Sequence, residues 1–196
     1  MARPKEFERE DALKKAVGIF SDHGYEGTST EALIGAMGVS RQSLYDTFGD
    51  KWHLYLECLQ RYTADSIGEQ LRALNSASSP LKGIEAHLNH AVAAALAEPV
   101  PKCLGISAIC EFGRSNPEVT MVGEMASRMM VSALDLRIDE AKAAGEVPKD
   151  VSGADASAFI MATLTGIKVA ARAGASAERL KGIARMALRS LAMTAH

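Results

Sequence analysis

The stretch that most constrains this chain runs from residue 24 to residue 51, where two short amphipathic segments meet at a glycine. Thr28 or Ser29 can cap a first helix whose apolar residues are Ala32, Leu33, Ala36 and Met37. Gly38 stops that helix, Val39 is a buried linker and Ser40 is a fresh N-cap. The second helix spans only about two turns, with Arg41, Gln42, Ser43, Tyr45 and Thr47 arranged around Leu44 and Phe48. A helix so short is not stable alone, so its neighbours must hold it while its polar face stays free. That is the arrangement of a helix-turn-helix, whose second helix enters the DNA major groove.

The rest of the chain continues in the same secondary structure. Val, Ile and Thr are never gathered into alternating runs, which predicts an all-α fold with no strand. A first helix is expected over 6–23, with Leu13, Ala16, Val17 and Phe20 as its core stripe and Arg3, Pro4 and Lys5 as a short basic arm before it. Asp50 caps a long helix over 51–74, and 75–80 reads as a linker. Further helices are expected over 81–97, 102–115, 117–144, 150–174 and 176–194, with Pro99-Val100-Pro101 as a stop. The segment over 102–115 is apolar almost all round and reads as a buried helix. This makes nine helices. The expected division is a DNA-binding domain over 1–50 and a larger helical domain over 51–196, with 51–74 as the connecting helix.

Composition limits the alternatives. No run of 18 uncharged apolar residues exists and the N-terminus lacks an apolar signal core, so the expectation is a cytoplasmic protein with no membrane partner. Three cysteines do not form a disulfide scaffold and read as free thiols. Residues 1–50 hold six Lys or Arg against nine Asp or Glu, so any attraction to phosphate must come from where charges point.

The string Gly38-Val39-Ser40, Ser43-Leu44-Tyr45 and Phe48-Gly49-Asp50-Lys51, preceded by Gly24-Tyr25-Glu26-Gly27-Thr28-Ser29, resembles the TetR/AcrR family of bacterial one-component repressors. The resemblance covers about residues 7–60. It implies a homodimer paired through its last two helices, a palindromic double-stranded DNA operator, and a small-molecule effector of unknown identity. It further implies that Arg41 and Gln42 reach base edges, where Arg suits guanine and Gln suits adenine. Tyr45 corresponds to a position touching phosphate or a thymine methyl. Thr28, Ser29, Ser40, Ser43, Thr47 and Lys51 correspond to phosphate-holding positions. Read from the residues alone, Ser40 could be purely an N-cap and Tyr45 purely core.

In the C-terminal part the candidate ligand-binding residues are His87, Cys103, Ser107, Cys110, Glu111, Phe112, Met125, Met129 and Phe159. Cys103 and Cys110 lie about 10 Å apart along one helix, too far to pair. Cys103, at a helix start beside Lys102, is the better candidate for a reactive thiolate; a small buried hydrophobe is the alternative. Glu111 falls on the face of Leu104 and Ala108, so it should be paired or face a cavity. Met121, Met125, Met129 and Met130 suggest flexible core or an adaptable pocket wall. His87 and His90, one turn apart, lack further ligands, so no metal or cofactor is expected. No nucleophile elbow, phosphate loop or zinc motif is present, which argues against an enzyme. The remaining alternative is an all-helical carrier or scaffold with no DNA role.

Overall fold

A computed structural model describes residues 3–97 and 103–192, with side chains described from residue 9 onward. The described residues form nine helices and no strand: α1 (Arg3–His23), α2 (Thr30–Met37), α3 (Arg41–Phe48), α4 (Lys51–Leu74), α5 (Pro80–Leu96), α6 (Leu104–Phe112), α7 (Pro117–Ala143), α8 (Gly153–Arg172) and α9 (Ala177–Ala192). The all-α architecture and the helix order are those expected. Helix α1 starts earlier than expected, at Arg3, so the backbone of the supposed basic arm is its first turn. The side chains of Arg3, Pro4 and Lys5, the stop at 99–101 and Lys102 lie outside the described residues.

The chain packs as two units. One comprises Met1–Asp65 and Cys103–Glu124, the other Ser66–Lys102 and Met125–His196. Both α4 and α7 therefore contribute to each unit.

The first unit is built on α1, whose Ala12, Leu13, Ala16 and Phe20 are buried at the helical spacing read from the sequence. They share a core with Leu33 and Met37 of α2, Leu44 and Phe48 of α3, Leu54, Tyr55, Leu56, Cys58 and Leu59 of α4, Leu104 and Ala108 of α6, and Val119 and Val122 of α7. Helix α3 has eight residues and inserts only Leu44 and Phe48. At about 1.5–3 kcal/mol per buried large apolar side chain, those two anchors outweigh the cost of starting so short a helix.

The second unit packs α5 against α8 and α9, and α8 against α9. Its core runs through Ile84, Leu88, Ala91, Leu134, Ile138, Ile160, Leu164, Ile167, Leu180, Ala184 and Leu191. Gly83 is required here: a Cβ would sit 2.3 Å from the Leu74 carbonyl oxygen. Helix α8 has the length and apolar character of a membrane span. Its Ile160, Leu164, Ile167 and Ala171 instead bury one face in this bundle.

Candidate DNA-reading surface and the α6 junction

Helices α2 and α3 are set by their ends. The Ser29 hydroxyl accepts from the Ala32 amide, and Gly38 closes α2 at φ 71°, in the left-handed region that glycine adopts freely. The Ser40 hydroxyl accepts from the Ser43 amide at 3.0 Å and donates to the Ser43 hydroxyl. Asp50 caps α4 by accepting from the His53 amide at 2.8 Å. These bonds use the orphan amides at each helix start, so the chain can change direction twice within a few residues.

With Leu44 and Phe48 buried, Arg41, Gln42, Ser43, Tyr45 and Thr47 face solvent along α3. Tyr45 keeps 41% of its surface, so it is not core. The two residues expected at base edges are already engaged within the protein. Arg41 pairs with Glu31 of α2, and the Gln42 amide donates to Asp46 at 2.7 Å. The amide of Glu31 and the Arg41 guanidinium hold the Glu31 carboxyl below its usual range. Lys51 is half-buried, with its ammonium 4.2 Å from the centre of the Tyr25 ring. Thr28 departs from expectation. It is 1% exposed and donates to the Gly24 carbonyl at 2.6 Å, so it closes the α1–α2 turn and offers no hydroxyl to phosphate.

Helix α6 belongs to the same unit and packs on α1. It was expected to be buried all round, yet only Leu104, Ser107 and Ala108 are buried, and Ile109, Cys110 and Glu111 are exposed. A helix lying on the side of a core buries one stripe only. Cys103 is half-buried at the N-cap, and Cys58 is the fully buried thiol. Burial pushes Cys58 well above the usual thiol range.

Glu111, expected to pair with a base or face a cavity, is exposed. Its carboxylate accepts from the backbone amides of Tyr25 at 2.9 Å and Glu26 at 3.1 Å, in the turn between α1 and α2. Phe112, the next residue, lies 5.6–6.0 Å from the ring centres of Trp52, Tyr55 and Tyr25. Those three rings also touch one another at 5.2–5.7 Å. The Trp52 indole donates to Glu118 at 3.0 Å. The Tyr55 hydroxyl is buried without a hydrogen-bond partner among the described residues, and burial together with Glu111 pushes its pKa up. Sequence reading missed Glu31, Tyr25, Trp52 and Glu118, because their partners are ten to 86 residues distant.

The other candidate ligand-binding residues belong to the second unit. His87 is completely buried on α5, and neither ring nitrogen has a partner of standard geometry among the described residues. Desolvation pushes its pKa down to about 4, with His90 and Lys168 adding to the shift and the Gln70 backbone opposing it. Met125 and Met129 are 53% exposed and Phe159 47% exposed, so none of the three is buried core. No cluster of metal-ligating side chains occurs among the described residues.

Residues 12–58 match the family model described as bacterial regulatory proteins, tetR family. The HTH-type transcriptional regulator YezE of Bacillus subtilis strain 168 is 32% identical over 149 residues, covering 75% of this chain and 76% of that protein. This chain belongs to the TetR family. The HTH-type transcriptional repressor ComR of Escherichia coli strain K12 is 28% identical over 189 residues, covering 95% of this chain and 90% of ComR. Among solved structures, a cysteine mutant of the TetR family transcriptional regulator CifR, complexed with 26-base-pair double-strand operator DNA, matches with a TM-score of 0.78 and 27% identity. The match covers 93% of this chain and 95% of the CifR chain. As a TetR-family member the chain is a DNA-binding transcriptional regulator, which sets aside the carrier or scaffold reading.

Proposed function

We propose that this TetR-family protein is a cytoplasmic repressor that binds a palindromic operator as a homodimer and leaves it when a small-molecule effector binds. Residues 1–50 read DNA, and residues 51–196 pair the protomers and receive the effector. The observation that carries the reading is the exposed polar face of α3, capped at Ser40 and anchored from beneath by Leu44 and Phe48. Arg41 and Gln42 contact base edges, and Tyr45 contacts phosphate or a thymine methyl. Ser29, Ser40, Ser43, Thr47 and Lys51 hold phosphate. ComR, called a repressor, and operator-bound CifR support this assignment by similarity.

Dimerisation through α8 and α9 is supported by their exposed apolar residues Phe159, Val169 and Met186. Effector candidates are His87 in the second unit, as a buried polar group, Cys103 at the N-cap of α6, and Ser107 and Phe112 on α6.

The experiment is titration of the purified protein on duplex DNA from upstream of its own gene, across a range of salt. A site-specific dimer gives affinity that falls steeply with salt, and protection over two half-sites about 34–36 Å apart or a multiple of that spacing. Flat salt dependence on that DNA and on unrelated DNA would refute the operator reading.

A further inference from the structure

We propose that Glu111 is a positioning residue for DNA recognition, tying α6 to the pose of the α2–α3 pair. The proposal rests on the reading that α3 binds operator DNA.

The link between α1 and α2 is short and sterically tight. Gly24 adopts φ +70°, and a Cβ at Gly27 would sit 2.3 Å from the His23 carbonyl oxygen. In this turn the successive amides of Tyr25 and Glu26 point the same way and form a small anion-holding nest. The occupant of the nest is the Glu111 carboxylate, 86 residues further along the chain from Tyr25. It is seated so closely that a Cβ on Gly24 would meet its oxygens at 2.6 and 2.7 Å.

Phe112 extends the attachment into the four-ring cluster with Tyr25, Trp52 and Tyr55. The last turn of α6 is thus bonded to the turn that launches α2, and α2 carries α3 through its buried Leu33 and Met37. Hydrogen bonds of 2.9 and 3.1 Å are lost if α6 withdraws by roughly an ångström. The turn then keeps the Thr28 bond to Gly24 and its own backbone bonds but loses the carboxylate that joins it to α6. An event on α6 can therefore reach the recognition helix directly.

The test compares wild type, Glu111→Ala, Glu111→Gln and Arg41→Ala on duplex from upstream of the gene and on a scrambled duplex. Because both bonds are solvent-exposed, Glu111→Ala should weaken operator binding about three- to tenfold. Scrambled-duplex affinity and oligomeric mass should not change. Glu111→Gln, which keeps one acceptor oxygen in place, should fall between Glu111→Ala and wild type. Trp52, the chain's one tryptophan, should change emission in Glu111→Ala because it sits in the ring cluster beside Phe112.

Wild-type operator affinity in both Glu111 variants, with Arg41→Ala weakened, overturns the proposal and leaves the operator reading standing. Equal losses on operator and scrambled duplex also overturn it, because they mark general loosening. Wild-type binding by Arg41→Ala instead marks failure of the operator reading itself.

Discussion

The Glu31 carboxylate in the first turn of α2 pairs with the Arg41 guanidinium at the first residue of α3, and both side chains are exposed. An arginine proposed to read a base is thus oriented from behind by an acid on the preceding helix. Glu31 also repels phosphate. Glu31→Gln should therefore tighten binding to unrelated duplex by about twofold to fivefold and reduce discrimination at the base pair under Arg41. Competition binding against a panel of single-base operator variants measures both effects. Weaker binding to every duplex would count against the orienting role.

Arg41→Ala should leave the fold intact, since Arg41 is exposed and its ion pair with Glu31 lies at the surface. Losing one bidentate base contact should cost about 1–3 kcal/mol at the operator, or roughly fivefold to 150-fold in affinity. Circular dichroism beside gel-shift titration tests this; unchanged operator affinity would refute it.

His87 gives stability a defined dependence on pH. Its folded-state pKa is lowered from 6.5 to about 4, so the unfolded chain binds the proton first as pH falls. Stability is fully present above about pH 6.5 and declines toward pH 4. Between pH 7 and pH 5 this one group should remove about 2 kcal/mol. Urea midpoints at both pH values should differ by less in His87→Leu than in wild type. An identical pH dependence in the two proteins would show that His87 is not the group responsible.

Gly83→Ala should destabilise the second unit even though alanine is the better helix former by about 1 kcal/mol. The added Cβ would sit 2.3 Å from the Leu74 carbonyl oxygen, which is backbone and cannot swing aside. Forced overpacking of this kind costs about 1–3 kcal/mol, so the clash should equal or exceed the propensity gain. Thermal unfolding measures the sign, and a higher melting temperature would contradict the close approach.

The three thiols should separate by accessibility. Cys110 is exposed, Cys103 half-buried and Cys58 buried with a raised pKa. Brief alkylation of the native protein followed by peptide mass spectrometry should find label on Cys110 first, then Cys103, and on Cys58 only after unfolding. Rapid native labelling of Cys58 would be inconsistent with this packing.

The sequence alone determined the local features: nine helices, the glycine turn at Gly38, a cap at Thr28 or Ser29, the caps at Ser40 and Asp50, and the polar face of α3. Each of these depends on neighbours within a turn or two, where helical periodicity, glycine and capping hydroxyls act directly. Tertiary structure decided what each polar group meets. Thr28 turned inward to the Gly24 carbonyl, and Arg41 found Glu31. The far face of α6, and Met125, Met129 and Phe159, remained exposed. Glu111 reached across to the turn before α2. No periodicity encodes such partners, because a hydrogen bond between residues 86 positions apart depends on how helices pack. Sequence alone identifies the helix proposed to read DNA, and packing determines what holds that helix in place.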